Sequence, residues 1–270
     1  MNDSLGDRMK RYEHVTRSSL MRRTPAIIRI DGKAFHTFTN GMKKPYDNIL
    51  MYTMQDTMRY LCENIQGCVF GYTQSDEISL LIKDYETIET QAWFDYGVQK
   101  MCSVSASMAT MAFNRSFAKK IDTLQAAMNG SWNLTSEEEQ YCEMLVKKMY
   151  SAMFDARVFS LPREEVCNYF IWRQNDATRN SISSAAQSLF SHTQLHGKKS
   201  AQMQEMMWSE RGVNWNDYPA DFKRGACCYK VEQSVPRALA WSDGIKRKIW
   251  IIDKEPPIFT QDRNYVEVWV

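Results

Sequence analysis

The chain has 270 residues, enough to bury a full core as one large domain or two closely packed ones. Hydrophobic residues make up 44% and charged residues 24%, which excludes disorder and fibrous repeats, while a formal net charge of +2 excludes a uniformly basic nucleic-acid coat but leaves room for local patches. No apolar run approaches the roughly 20 residues that span a bilayer, and the polar opening MNDSLGDRMKRYEH does not read as a signal peptide, so a cytoplasmic protein with no membrane partner is expected. Seven cysteines without a C-x-x-C pair suit reduced, mostly buried thiols better than a zinc or disulfide framework.

The first predicted element is a short apolar strand over residues 26–30, AIIRI, which runs directly into Asp31 and Gly32. From Pro45 a helix is expected, with Leu50, Met54, Met58, Leu61 and Ile65 recurring at spacings of three and four until Gly67 breaks it. CVFGY and ISLLI then read as two strands joined through the polar tip TQSDE, a hairpin pattern. A second long helix is predicted from Trp93, Phe94, Val98, Met101, Val104, Met108 and Met111. After a polar insert, NGSWNLTSEEEQ, either Thr135 with Glu138 or Ser136 with Glu139 is placed to open a helix toward Met149 as a capping box. ARVFSL returns as a strand. Beyond Pro162 the chain turns helical again through EEVCNYFIWRQND and SISSAAQSLFSH, and shorter strands follow in GACCYKV and KIWIID.

Strand, helix, two-stranded hairpin, helix, strand is the split βαβ order of a ferredoxin-like α+β fold, an antiparallel sheet with both helices on one face. The expected division is a palm-like catalytic domain over residues 1–161 and a C-terminal helical and strand extension over residues 162–270. In this topology Asp31 ends an inner strand, and the tip of the neighbouring hairpin carries Asp76 and Glu77. Three carboxylates would converge at one edge. Clustered like charges are costly unless a cation neutralises them, and hard oxygen ligands suit Mg²⁺ completed by water and substrate phosphates. Two such ions roughly 4 Å apart can activate an attacking hydroxyl and stabilise leaving phosphate oxygens. Gly32 lets the backbone approach a metal or phosphate closely. Lys33, Lys43 and Lys44 supply cations for a triphosphate, Ser75 offers a hydroxyl, and His36 can pair with phosphate or a base. Singly, each of these is an ordinary turn feature; their order on one topology points to a nucleotidyl-transferring palm.

Other chemistries have weaker support. His192 and His196 stand at the helical spacing of a zinc pair, but no Glu follows the first and no third ligand is evident. A basic loop, His196-Gly197-Lys198-Lys199, touching phosphate is the better reading of that stretch. Neither a G-x-S-x-G nor a cysteine-hydrolase signature appears.

RIDGKAFHTF, KKPYD, GYTQSDEISLL, FDARVFSLP, WRQND and FKRGA stand in an order that resembles the tRNA-His guanylyltransferase family over nearly the whole chain. LGDRMKRYE and LHGKK look like its bacterial and archaeal type, the tRNA-His guanylyltransferase-like proteins. The resemblance implies a polymerase palm that adds nucleotides to the 5′ end of tRNA in the 3′-to-5′ direction, a nucleoside triphosphate having first activated the 5′-monophosphate. It implies that Asp31, Gly32 and Asp76 carry two Mg²⁺ ions, with Glu77 as a third catalytic acid. Residues Asp31, Gly32, Lys33, Ala34, Phe35 and His36, with Ser75 and Asp76, would hold the nucleotide, and Lys44 and Asp47 would grip the activating triphosphate. GTP and ATP are the implied substrates, and a homotetramer the implied assembly. Where eukaryotic members carry the His-Ile-Asn-Asn-Leu-Tyr-Asn segment tied to the histidine tRNA, this chain reads Thr178 to Ser184 with no histidine. That departure favours template-directed repair of 5′-truncated tRNAs over guanylyl transfer specific to the histidine tRNA, with a non-catalytic tRNA-binding protein as the reading from another class. If base pairing selects the nucleotide, the protein needs mainly backbone contacts, for which Arg173, Arg179, Asn180, Lys198, Lys199, Lys223 and Arg224 are the candidates. Arg173 and Arg179 could equally be paired with a nearby acid.

Overall fold

The fold is read from a computed structural model that describes residues 4–129, 135–234 and 246–270. Its centre is a six-stranded antiparallel sheet in the order β4-β1-β3-β2-β5-β6. The strands are β1 (Ala26–Gly32), β2 (Cys68–Gln74), β3 (Glu77–Ile82), β4 (Phe154–Ser160), β5 (Ala226–Ser234) and β6 (Lys246–Asp253). The first four give the expected split βαβ order, with β1 between β3 and β4. The C-terminal strands pair onto β2 and so lengthen the same sheet.

Alternation along each strand divides the core in two. Ala26, Ile28 and Ile30 of β1 and Ile78, Leu80 and Ile82 of β3 face helices α3 (Asn48–Asn64) and α4 (Val98–Asn129). Ile27 and Leu81 point to the other face, where α6 (Val166–Leu189) packs with Phe70, Tyr72, Phe170, Phe259 and Val266. The remaining helices are α1 (Leu5–His14), the short α2 (Phe35–Phe38), α5 (Ser136–Lys148), α7 (His192–Leu195), α8 (Ser200–Arg211), α9 (Ala220–Arg224) and α10 (Asn264–Glu267).

Three local expectations are revised. Helix α3 begins at Asn48 rather than Pro45, because the Asp47 side chain accepts from the amides of Ile49 and Leu50 and caps it. The second long helix starts at Val98, past a turn over Trp93–Tyr96 that Gly97 ends. Its buried side runs through Met101, Ser105, Ala109, Phe113, Phe117 and Ile121, while Phe94 and Met111 face solvent. The two helical stretches after Pro162 are one helix, α6. Of the capping alternatives, Thr135 with Glu138 is realised: Thr135 Oγ1 accepts from the Glu138 amide and Glu138 Oε2 from the Thr135 amide. Residues 130–134 of the polar insert lie outside the described residues. Six of the seven cysteines are buried, all seven as free thiols. Among the described residues, no helix is long and apolar enough to cross a membrane.

Candidate active site

The site forms where β1 ends against the β2–β3 turn. Register places Asp31 opposite Glu77 on one side and opposite Asp155 on the other. Directly paired residues share a face, so Asp155, Asp31 and Glu77 form a row across three strands on the α6 side of the sheet. Asp76 occupies the adjoining turn, and its carbonyl accepts from the Gly32 amide at 3.1 Å. Two non-glycine residues here adopt left-handed backbone, Ala34 at φ +54° and Ser75 at φ +50°, a local strain that the surrounding hydrogen bonds hold in place. Gly32 is required by close packing: a Cβ there would lie 2.3 Å from the Phe35 ring.

Electrostatics set Asp31 and Asp76 apart. Burial, and then Asp155, push the Asp31 carboxyl above its ordinary value, although Arg157, Arg29 and Arg173 oppose them. Burial, and then Asp31, push Asp76 up, while its own backbone and the Ser75 hydroxyl pull down. Each is a half-buried acid held near another acid, and a divalent cation would relieve both burdens. Two carboxylates beside a backbone segment also match the few protein ligands that Mg²⁺ takes when water and phosphates complete its shell. Among the described residues, no group of three or more His, Cys, Asp or Glu side chains is arranged to hold an ion. Glu77 is engaged elsewhere. Its carboxylate accepts from Arg173 Nε at 2.7 Å and Nη2 at 2.8 Å, both residues being buried, and burial raises its pKa while Arg173 lowers it.

The other sequence-predicted residues fall into separate groups. Lys33 and His36 are exposed at α2 beside Gly32, whereas the Phe35 side chain is buried against Phe38, Phe113 and Phe154. Asp47 is buried with both oxygens occupied, by the α3 amides, the Lys43 amide and the Tyr141 hydroxyl. It fixes the 43–47 loop instead of presenting a free carboxylate. A cavity of about 140 Å³ runs from that loop past Ser75 to Asn180 and Asp221, and links those elements directly. Lys44 lines a second cavity, with His192, His196 and Gly197, of about 420 Å³. The two imidazole centroids there are 6.1 Å apart.

Of the two readings open for Arg173, the acid pairing is the one realised. Its guanidinium is consumed by Glu77 and by Asp176 at 3.0 Å, so it is an interior ion pair rather than an RNA-facing cation. Arg179 is exposed and bridges to Asp176 at 2.6 Å. Lys198 and Lys199 are exposed after α7, Lys223 donates to the Asn216 carbonyl, and Arg224 donates to the Pro256 carbonyl at 3.2 Å. Sequence reasoning missed Asp155, Arg157 and Arg29, which share the carboxylate face. The alternation in FDARVFS held the signal for the first two, since Asp155 and Arg157 sit two apart on one side of the strand.

Comparison with known proteins gives the family and the fold. A profile described as tRNAHis guanylyltransferase matches residues 6–162. A structure of a bacterial tRNA(His) guanylyltransferase (Thg1)-like protein in complex with ATP shares 42% identity over 99% of each chain, with a TM-score of 0.81. A structure of such a protein in complex with GTP shares 40% identity over 99% of each chain, at 0.75. The tRNA(His) guanylyltransferase of Schizosaccharomyces pombe is 28% identical over 81% of this chain and 77% of its own length. With the profile spanning more than half of the chain and the palm-like sheet carrying its motifs at one edge, this protein belongs to the tRNA(His) guanylyltransferase family, a family of nucleotidyltransferases.

Proposed function

We propose that the protein is a Mg²⁺-dependent 3′-to-5′ nucleotidyltransferase that repairs 5′-truncated tRNAs by template-directed addition. The observation that carries this reading is the junction of Asp31, the Gly32 backbone and Asp76 at one sheet edge, beside a cavity that reaches Ser75. In this reading Asp31, Gly32 and Asp76 hold two Mg²⁺ ions, which when bound lower the pKa of the attacking hydroxyl and neutralise charge on the phosphate oxygens. A tRNA 5′-monophosphate first attacks the α-phosphorus of ATP or GTP and releases pyrophosphate. The 3′-hydroxyl of the incoming nucleotide then attacks the activated 5′-phosphate and releases the nucleoside monophosphate. The protein contributes positioning and charge neutralisation.

Lys33, His36, Lys44 and the Ser75 hydroxyl hold triphosphate oxygens, with the amides of Ala34, Phe35 and His36 as further donors, those of Gly32 and Lys33 being given to the Asp76 and Met153 carbonyls. Asp47 acts through the loop that it caps. Glu77 serves as an acid whose orientation Arg173 fixes, so Arg173 is a positioning residue and leaves the RNA to Arg179, Asn180, Lys198, Lys199, Lys223 and Arg224. Residues 1–161 carry catalysis, and residues 162–270 carry tRNA contact and assembly into a homotetramer in the cytoplasm. The absence of histidine from Thr178 to Ser184 supports templated repair, while the names of the relatives favour a second reading, guanylyl transfer specific to the histidine tRNA.

The test is a 5′-monophosphorylated tRNA lacking its first nucleotide, incubated with protein, Mg²⁺, ATP and all four nucleoside triphosphates. The wild type restores the paired acceptor end and stops, and Asp31→Ala or Asp76→Ala abolishes addition without loss of fold. Retained addition in either variant contradicts the two-metal assignment. Equal rates on histidine tRNA and other truncated tRNAs separate repair from the histidine-specific reading.

A further inference from the structure

Helix α6 crosses the carboxylate face of the sheet with Tyr169, Phe170, Arg173 and Gln174 buried, yet Trp172 beside them is 50% exposed. An indole is among the most favourable side chains to bury, so its exposure on an otherwise well-packed helix calls for a use. The ring is also held. The Arg173 guanidinium lies 4.4 Å from its centroid, the Tyr169 ring 5.9 Å away edge-on, and the Arg29 guanidinium 5.8 Å away.

These contacts tie the indole to the reactive edge. Arg173 is fixed in turn by two hydrogen bonds to Glu77, and Glu77 sits opposite Asp31. Arg29 lies two residues before Asp31 on the same sheet face. A chain of contacts thus runs from Trp172 through Arg173 and Glu77 to the carboxylates. The exposed half of the indole, with two guanidinium groups over its ring, offers aromatic surface to a nucleobase, for which stacking is strong and indifferent to sequence.

We propose that Trp172 is a positioning residue that stacks a nucleobase beside the Asp31 and Asp76 pair. The inference rests on the nucleotidyl-transfer reading and goes beyond it by naming the group that orients a base without reading its identity. Such a contact suits a reaction in which pairing with the template chooses the nucleotide. The base has two sources, the terminal base of the RNA acceptor end or the base of a bound triphosphate.

The experiment compares the wild-type protein with Trp172→Ala, Trp172→Phe and Trp172→Leu. Binding of ATP and GTP is titrated without RNA, and kcat and KM are measured on a 5′-triphosphorylated, truncated tRNA that needs no activation. Loss of one base–aromatic stack predicts that Trp172→Ala weakens one of these interactions by about 5- to 150-fold, that Phe restores most of it and that Leu does not. A rise confined to the tRNA KM identifies the RNA base, and a rise confined to triphosphate binding identifies the nucleotide. If neither changes, or if Leu restores as well as Phe, Trp172 is only packing and the proposal fails. Should Trp172→Ala not fold, the Phe and Leu pair carries the same comparison. Failure of the wild type to extend the tRNA would sink the catalytic reading, whereas direct binding of the triphosphates and of the truncated tRNA to the same variants would still decide the stack.

Discussion

Replacing Arg173 with Ala tests how the carboxylate row is held in register. The guanidinium makes two short bonds to Glu77 and a third to Asp176, and the side chains of Arg173 and Glu77 are 7% and 8% exposed. Removing it leaves the Glu77 carboxylate buried and without its cation, a loss of about 3–5 kcal/mol. For a chain of this size, that corresponds to a fall in Tm of roughly 10 °C. Lys at this position keeps the charge but not the fork, so Arg173→Lys is intermediate. The decisive comparison is the double variant Arg173→Met with Glu77→Gln: removing both charges costs less stability than stranding one, so the double variant is more stable than Arg173→Ala. Urea unfolding of the four proteins, with nucleotide addition measured alongside, reads both effects. A loss below about 1 kcal/mol for Arg173→Ala, the level of an exposed pair, would refute the reasoning.

The remaining predictions concern the reactive edge and a control. Asp31 and Asp76 both have folded-state pKa values above their unfolded ones, chiefly from burial. Folding therefore takes up protons between those values, so these groups make the protein more stable as pH falls through that window and less stable above it. Asp31→Asn and Asp76→Asn are accordingly expected to raise Tm at pH 7 while abolishing addition, and to flatten the acid side of the Tm profile; a lowered Tm in both would contradict this. Mg²⁺ binding, followed by titration calorimetry, weakens as pH falls, because the ion must displace protons from the same carboxyls. Gly32→Ala drives a methyl into the Phe35 ring, which Phe38, Phe113 and Phe154 already confine, and costs about 1–3 kcal/mol together with activity. Thr135→Ala removes the α5 cap and costs about 1 kcal/mol in thermal unfolding with no change in addition rate.

Much of the palm was legible because its elements obey simple periodicities. Ile28 and Ile30 alternate with Arg29 and Asp31, and Met54, Met58 and Leu61 repeat at helical spacing, so the split βαβ order and the approach of Asp31 to the hairpin tip both followed from pattern. The stripe expected for α4 was right at Trp93, Met101, Val104 and Met108, which face the core, and failed at Phe94 and Met111, which hydropathy favours; tight packing selects the small Ser105 and Ala109 instead. Register was beyond the sequence as well. Asp155 comes opposite Asp31 only through the pairing of strands 124 residues apart in sequence; the alternation in FDARVFS marks its side of the strand but not its partner. Arg173 illustrates the same limit: an arginine in a helix reads equally as an RNA contact or an ion-pair partner until the sheet brings Glu77 beneath it. Asp47 entered as a triphosphate contact only through the family resemblance, whereas its cap role was legible as a short acid placed before a helix.

The central claim, templated addition at the 5′ end, is tested most directly by changing the template. A set of truncated tRNAs would differ only in the nucleotide opposite the missing 5′ position, each supplied with Mg²⁺, ATP and all four nucleoside triphosphates. The account predicts that the added nucleotide changes to the complement in every case and that addition stops when the acceptor stem is paired. Addition of guanylate regardless of the opposing nucleotide would contradict it and leave histidine-specific guanylyl transfer in its place.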